Sequence, residues 1–151
     1  LSNDLKNHLI DIGGEIIIHG NNKSIAWVVG IQDPTNKKDK PIITISNKDS
    51  SFLAIATSGE YRNYRYADGE TITHTLDPST NKSINNNLQS ITVASQISAT
   101  LADAYATAIN VMGYEKGLEF VNKNNIAALF IISEEGELQL IKSQEWYDLS
   151  L

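Results

Sequence analysis

The chain has 151 residues, with 12 Lys and Arg against 18 Asp and Glu for a formal charge of −6. That is enough chain for one domain with its own hydrophobic core, and too acidic for the positive field on which nonspecific nucleic-acid binding rests. A hydrophobic share of 41%, a charged share of 20% and no cysteine describe a folded globule without disulfides, thiolate nucleophile or Cys-based zinc site.

The first residue is Leu1 rather than methionine, and residues 1–8 lack the basic start and apolar stretch of a signal peptide. The chain is therefore expected to be processed or cut from a longer protein. Leu5 and Leu9, four apart among Asn3, Asp4 and Lys6, predict the last turns of an amphipathic helix. Residues 10–19 hold Gly13-Gly14 and then Ile16-Ile17-Ile18, which predicts a bend or bulge feeding a strand. A turn at 20–23 leads to a second strand over 24–32, expected to pair back on the first. Residues 33–40, with Pro34 and the lysine-rich run Lys37-Lys38-Asp39-Lys40, read as an exposed loop. Strands are predicted at 41–46 and 52–56, the latter running into Thr57-Ser58-Gly59.

Tyr61, Tyr64 and Tyr66 cluster next, and residues 70–76 alternate as a half-buried strand should. A Ser-, Thr- and Asn-rich loop spans 77–88, and a strand is expected at 91–94. Helical periodicity then covers 98–112, with Leu101, Ala104, Tyr105, Ala108, Val111 and Met112 as the apolar stripe and Gly113 as the cap. A second helix over 115–124 is followed by strands at 126–132 and 137–142 around a turn at 134–136. The run 126–132 is the longest uninterrupted apolar one, at seven residues, far short of the roughly 20 that span a bilayer. The order predicts an α+β domain, helices packed on one face of an antiparallel sheet. No internal repeat or linker interrupts it.

Few side chains stand out chemically. Asp103 and Thr107, four apart on the predicted helix, place two oxygens on one face with Cβ atoms about 5–6 Å apart. Such a pair suits Mg2+, which takes one or two carboxylates with phosphate oxygens and water. The competing explanations are local: a helix dipole favours an early Asp, and a mid-helix Thr bonds back to the i−4 carbonyl. His74 sits in a strand pattern three residues before Asp77-Pro78, where an imidazole acts either as a general base or as an edge residue bonded to a turn. His8 and His19 read as surface residues. Gly13-Gly14 and Thr57-Ser58-Gly59 are small, backbone-exposing spots suited to a phosphate or a ring, or else plain turns. The tyrosines either stack on a flat ligand or pack. No GxGxxG, Walker, GxSxG or HExxH pattern occurs, which removes the common dinucleotide, P-loop, serine-hydrolase and zincin readings.

Five ordered segments together resemble the C-terminal half of the FAD:protein FMN transferase (ApbE) family. They are Asp11-Ile12-Gly13-Gly14-Glu15, residues 27–34 (WVVGIQDP), 56–64 (ATSGEYRNY), 73–78 (THTLDP) and 102–108 (ADAYATA), the last leading to Val111-Met112-Gly113. The resemblance runs from about residue 9 to residue 142, and makes residues 1–151 the C-terminal catalytic portion of a domain about twice as long. It implies a T-fold-like α+β half of a duplicated architecture, with FAD bound by groups from both halves. By the same resemblance Asp103 and Thr107 hold Mg2+ together with main-chain oxygen from the absent half. His74 corresponds to the proposed base, and Gly13, Gly14, Thr57, Ser58, Gly59 and Asp77 to the flavin site.

The implied chemistry is attack of a Thr or Ser hydroxyl of a partner flavoprotein on the FMN phosphorus of FAD, releasing AMP. Mg2+ would neutralise charge on the pyrophosphate and the departing AMP, and because an unactivated hydroxyl is a poor nucleophile at neutral pH, either a base, His74, or metal activation is needed. The family's exported members imply a periplasmic, membrane-anchored lipoprotein in a bacterial redox system, with a cytoplasmic location as the alternative. After Pro78 the chain departs from the family pattern, reading Ser79-Thr80-Asn81-Lys82-Ser83 where Arg or Thr, Thr, Gly, x, Pro is usual. Asn81 can take the left-handed turn in place of glycine, whereas Ser83 lacks the rigidity of proline. Two rival functions use the same residues: an FAD pyrophosphatase with water as nucleophile, and a non-catalytic flavin-binding or assembly module.

Overall fold

A computed structural model describes the chain at all residues except 1–4, 36–39, 48–50, 60–63, 68–69, 74, 85 and 150–151, with the backbone course alone for 64–67 and 70–73. Among the described residues the elements run β1 (His8–Ile12), β2 (Glu15–His19), β3 (Asn21–Asn22), β4 (Ile25–Ala26), β5 (Val28–Gln32), β6 (Pro41–Ser46) and β7 (Leu53–Gly59). They continue as β8 (Tyr64–Ala67), β9 (Glu70–Thr73), β10 (Leu76–Asp77), β11 (Lys82–Ser83), β12 (Leu88–Ser95), α1 (Ala99–Met112), α2 (Tyr114–Lys123), β13 (Ala127–Glu134), β14 (Glu137–Lys142) and α3 (Gln144–Asp148).

The centre is a six-stranded antiparallel sheet in the order β1-β2-β7-β12-β13-β14. The first six residues of β13 are all apolar because both faces are buried: Ala128, Phe130 and Ile132 join the core beneath α1 and α2, while Ala127, Leu129 and Ile131 join the core on the opposite face. A strand buried on both faces loses the polar alternation of a half-exposed one. Full burial of a side chain such as Phe130 contributes about 2–3 kcal/mol. The opposite core is closed by Val29, Ile31 and Ile45 of the β5–β6 hairpin and by Trp146 and Leu149 at α3. The α+β class holds, with α1 and α2 on one face as expected, while α3 and the β5–β6 hairpin cover the second. The one-turn α3 has no sequence signature, because five residues are too few to show a helical stripe.

Three expectations about local structure are corrected. Gly13-Gly14 is neither bend nor bulge but the two-residue turn of the β1–β2 hairpin, at φ 69 and 108 with Ile12 opposite Glu15. Positive φ at both positions matches the strand twist and is nearly free for glycine. Leu9 belongs to β1, opposite Ile18, and residues 5–7 are irregular, so the leucine spacing marks no helix over the described part. His8 and His19 are cross-strand partners with rings stacked at 5.5 Å. Their Nδ1 atoms lie 3.0 and 2.9 Å from the Leu5 and Lys6 carbonyls, which can only accept, so each donates a proton there and ties down the incoming segment.

Third, residues 24–32 do not pair with β2, whose two edges are already occupied by β1 and β7. The stretch divides at Trp27. Ile25–Ala26 closes a small hairpin on Asn21–Asn22, and Val28–Gln32 crosses to pair with β6. Buried Asn47 holds the crossing: its Oδ1 accepts the Trp27 N–H at 3.0 Å, and its Nδ2 donates to the Gly20 and Ser51 carbonyls at 2.9 and 3.0 Å. The 77–88 loop likewise contains the β10–β11 hairpin, with Asn81 at φ 55 as its composition allows.

α1 starts at Ser98, whose Oγ accepts the Leu101 N–H at 3.3 Å, and ends at Gly113, as expected. Its buried stripe is different from the expected one. Ala102, Ala106, Ile109 and Asn110 face the sheet, while Leu101 and Met112 are 44% and 37% exposed. Ala102 and Ala106 share a core with Ala54 and Ala56 of β7, and small residues on both sides let the helix axis come close to the strand. The sheet-facing stripe is thus displaced around the helix from the expected one, with Tyr105 of the latter packing at its margin.

α2 also packs closely. A Cβ on Gly117 would stand 2.7 Å from Ile109 Cγ2 and 3.1 Å from Phe130 Cε1. Gly117→Val should therefore cost about 1–3 kcal/mol through overpacking, read as a lower urea midpoint at unchanged slope; an unaltered midpoint would show that the two helices separate freely.

Candidate functional site

β12 pairs with β7 from Ala54 to Gly59, whereas β2 pairs with it only from Leu53 to Ile55. The chain of β2 begins at the Gly13-Gly14 turn, so β7 runs past it and leaves a notch at one end of the sheet. Into this notch face the hairpin end (Asp11, Gly13, Gly14, Glu15), Val29–Gln32 of β5, Thr57, Ser58 and Gly59 of β7, and Asp103 and Thr107 of α1. They line a cavity of about 800 Å³, within the range of cofactor-sized pockets.

Seven of the sequence-selected site residues thus converge: Gly13, Gly14, Thr57, Ser58, Gly59, Asp103 and Thr107. Asp103 and Thr107 each follow a buried alanine of α1, so the close approach of that helix to β7 carries both oxygens to the cavity. The local explanations for the pair do not apply. The first turn of α1 holds no acidic residue, so Asp103 lies beyond the reach of a capping charge. Among the described residues neither side chain has a hydrogen-bond or ion-pair partner, and Thr107 does not bond back to the helix. Two unengaged oxygens side by side, one anionic, fit part of the shell of a hard cation. No three His, Asp or Glu side chains gather into a metal cage among the described residues; a cation here would complete its shell with water, main-chain or ligand oxygens.

The backbone at Gly13-Gly14 is less available than expected, because the Gly14 N–H donates to Asp11 Oδ1 at 3.0 Å. On β7, the Thr57 and Thr92 hydroxyls lie 2.8 Å apart in a directly opposed cross-strand pair. Ser90 stands opposite Gly59, and its buried Oγ has no hydrogen-bond partner among the described residues.

Asp77 is not among the cavity-lining residues. Its Oδ1 accepts the Ser79 hydroxyl at 2.7 Å and the Ser79 N–H at 2.8 Å. Asp33 Oδ1 binds Thr35 in the same way, at 2.7 and 2.8 Å. Each Asp-Pro-Ser/Thr triplet is an Asx turn, a local role legible in the composition. His74 and Tyr61 lie outside the described residues, and Tyr64 and Tyr66 are placed only as members of β8. Asp11, Glu15 and the β5 residues were not selected as site residues. The signal lay in the acidic residues flanking the glycine pair, but only the hairpin and the crossing of β5 bring them to Asp103. With Asp11, Glu15 and Asp103 and, among the described residues, no Lys or Arg, the lining is acidic.

The ApbE family model matches residues 1–130 of this chain. An FAD:protein FMN transferase of Vibrio cholerae is 37% identical over 135 residues, covering 89% of this chain and 39% of that protein. One from Escherichia coli K12 is 36% identical over 134 residues, 88% of this chain and 37% of that protein. Among solved structures, the apo flavinyl transferase ApbE of Pseudomonas stutzeri superposes with a TM-score of 0.78 at 31% identity, over 95% of this chain and 43% of that one. The apbe protein of Thermotoga maritima gives 0.79 at 31%, over 98% and 46%. The chain thus spans about two fifths of the length of the curated relatives it matches.

The Asp77 turn yields a titration test. The Ser79 hydroxyl first, and then the Ser79 N–H, hold the Asp77 carboxyl below its ordinary range. A depressed folded pKa means that this turn stabilises the fold above the unfolded carboxyl's titration range and ceases to do so as pH falls through the folded value. Ser79→Ala should raise the Asp77 midpoint followed by carboxyl NMR; a midpoint that stays put would show that the hydroxyl is not the main cause.

Proposed function

The chain belongs to the ApbE family, and on that premise we propose that it supplies the C-terminal catalytic portion of a Mg2+-dependent enzyme that transfers FMN from FAD to a Thr or Ser hydroxyl of a partner flavoprotein, releasing AMP. The observation that carries the proposal is the cavity itself: among the described residues, three carboxylates, no cationic side chain, and an unengaged Asp103–Thr107 oxygen pair beside the small residues of β7. An acidic lining repels a pyrophosphate unless a divalent cation stands between them, so a pyrophosphate ligand would bind here together with a hard cation.

Bound Mg2+ supplies charge neutralisation on the pyrophosphate and the departing AMP. Asp103 and Thr107 are the side chains that hold it, the first by charge and the second as a neutral oxygen. Gly13, Gly14 and Gly59 keep side-chain bulk away from the ligand, while Thr57 and Ser58 face it with short hydroxyl groups. The acceptor oxygen forms a bond to the FMN phosphorus as the bond from that phosphorus to the AMP oxygen breaks. His74 takes the acceptor's proton in this reading, on the family resemblance alone. On the same basis the full-length protein is a periplasmic, membrane-anchored lipoprotein; among the described residues no helix is long and apolar enough to cross a membrane.

The test mixes the intact protein with FAD, Mg2+ and a candidate acceptor, and follows both AMP release and flavin fluorescence that survives denaturing electrophoresis. Wild-type protein should give both. Asp103→Ala should reduce transfer at least about 100-fold, the scale of losing a transition-state charge stabiliser, and His74→Ala should slow transfer more than it weakens FAD binding. Undiminished transfer by Asp103→Ala would overturn the metal assignment. Free FMN and AMP without covalent product would mean hydrolysis, and FAD binding without AMP would mean a non-catalytic module.

A further inference from the structure

Thr57 lines the cavity and is partly buried, whereas Thr92, its cross-strand partner, is 0% exposed. Their hydroxyls, 2.8 Å apart, form one hydrogen bond whose direction the distance alone leaves open. Burial decides it. Thr92 sits in the middle of β12 with ladders on both sides, opposite Thr57 on one and Leu129 on the other, and its hydroxyl has no partner besides Thr57 among the described residues. If Thr57 donated, the Thr92 proton would be buried without an acceptor. If Thr92 donates, only a spare lone pair is left unfilled, the lesser penalty for a buried hydroxyl.

We infer that Thr92 is a positioning residue that sets the polarity of the cavity: it donates its proton to Thr57, so that Thr57 presents its own proton to an acceptor atom of the ligand. The acceptor is a carbonyl oxygen, an unprotonated ring nitrogen or a phosphate oxygen, and a ligand N–H is disfavoured at that point. In an acidic lining this is one of the few side-chain donors: among the fifteen lining residues the others are Ser58, Thr107 and Gln32. The identity of the ligand as FAD rests on the proposed function; the direction of the bond does not.

Two measurements on the intact protein separate these. The first needs no ligand. In equal volumes of H2O and D2O, with 13Cβ-labelled threonine, Thr92 should show resolved signals for its protonated and deuterated hydroxyl, because its proton is donated and shielded, while Thr57 should show one averaged signal. An averaged Thr92 signal, or a resolved pair at Thr57, overturns the inference. The second is FAD affinity by flavin fluorescence. Thr92→Val should raise Kd about 3- to 10-fold, the scale of one net hydrogen bond, with Thr92→Ser restoring it to within about 2-fold. Thr57→Val and the double Thr57→Val/Thr92→Val variant should lose the same factor, because Thr92 acts only through Thr57. Multiplying losses in the double variant, or an unchanged Kd in Thr92→Val, would reduce Thr92 to packing. If the wild-type protein does not bind FAD, the flavin reading fails and the hydroxyl exchange still decides the direction of the bond.

Discussion

Strand β7 is held by β12 up to Gly59 but meets β2 only over Leu53–Ile55, and this mismatch organises the molecule. A strand in the body of a sheet must pair on both edges or expose backbone donors and acceptors. Here the second edge is released just where the Gly13-Gly14 turn ends the hairpin beside it. The residues past that point are Thr57, Ser58 and Gly59, small enough to leave open volume in front of them. The cavity is thus a consequence of register and strand length, and its position follows from how far a two-residue turn lets β1 and β2 extend.

The same strand sets the position of α1. Ala54 and Ala56 on one face of β7 meet Ala102 and Ala106 of the helix, and the contact is close because no side chain larger than a methyl stands in it. Asp103 and Thr107 are the neighbours of those alanines in sequence, which is why a packing constraint delivers two unengaged oxygens to the notch. On the other face Leu53 and Ile55 meet Val29, Ile31 and Ile45, so β5 completes the opposite wall. Charge and packing act together: the apolar layers keep their large side chains in two cores, and the carboxylates collect at the open end where solvent or a cation can reach them.

Much of this was legible in the sequence where a signal was local and strong. α1 carried its own cap residues, Ser98 and Gly113, and β6 and β14 lie over their predicted spans. The Asp103–Thr107 pairing follows from helical periodicity alone. Where the reading failed, a competing long-range effect won. The Ile25–Ile31 run looked like one strand because its apolar content is continuous, yet Asn47, 20 residues from Trp27, splits it by hydrogen bonding. The buried stripe of α1 lies on the Ala102–Ala106–Ile109 face, which the close approach to Ala54 and Ala56 of β7 sets and no property of the helix alone reveals. Asp77, assigned to the flavin site by its motif, engages Oδ1 in a local turn with Ser79 that short spacing alone accounts for.

What the sequence by itself determined is the fold class, the ordered motifs of the ApbE family and the helical face that offers an oxygen pair, because each depends on periodicity, capping or short spacing within one segment. Only the tertiary structure decided that Asp11 and Glu15 share a cavity with Asp103, that β5 crosses the sheet instead of joining it, and that Thr92 stands behind Thr57. Those facts depend on register between strands 35 residues apart, as in the Thr57–Thr92 pair, and on which edge of a sheet is already occupied. No local propensity encodes either one, since both emerge only when the layers close on a common core.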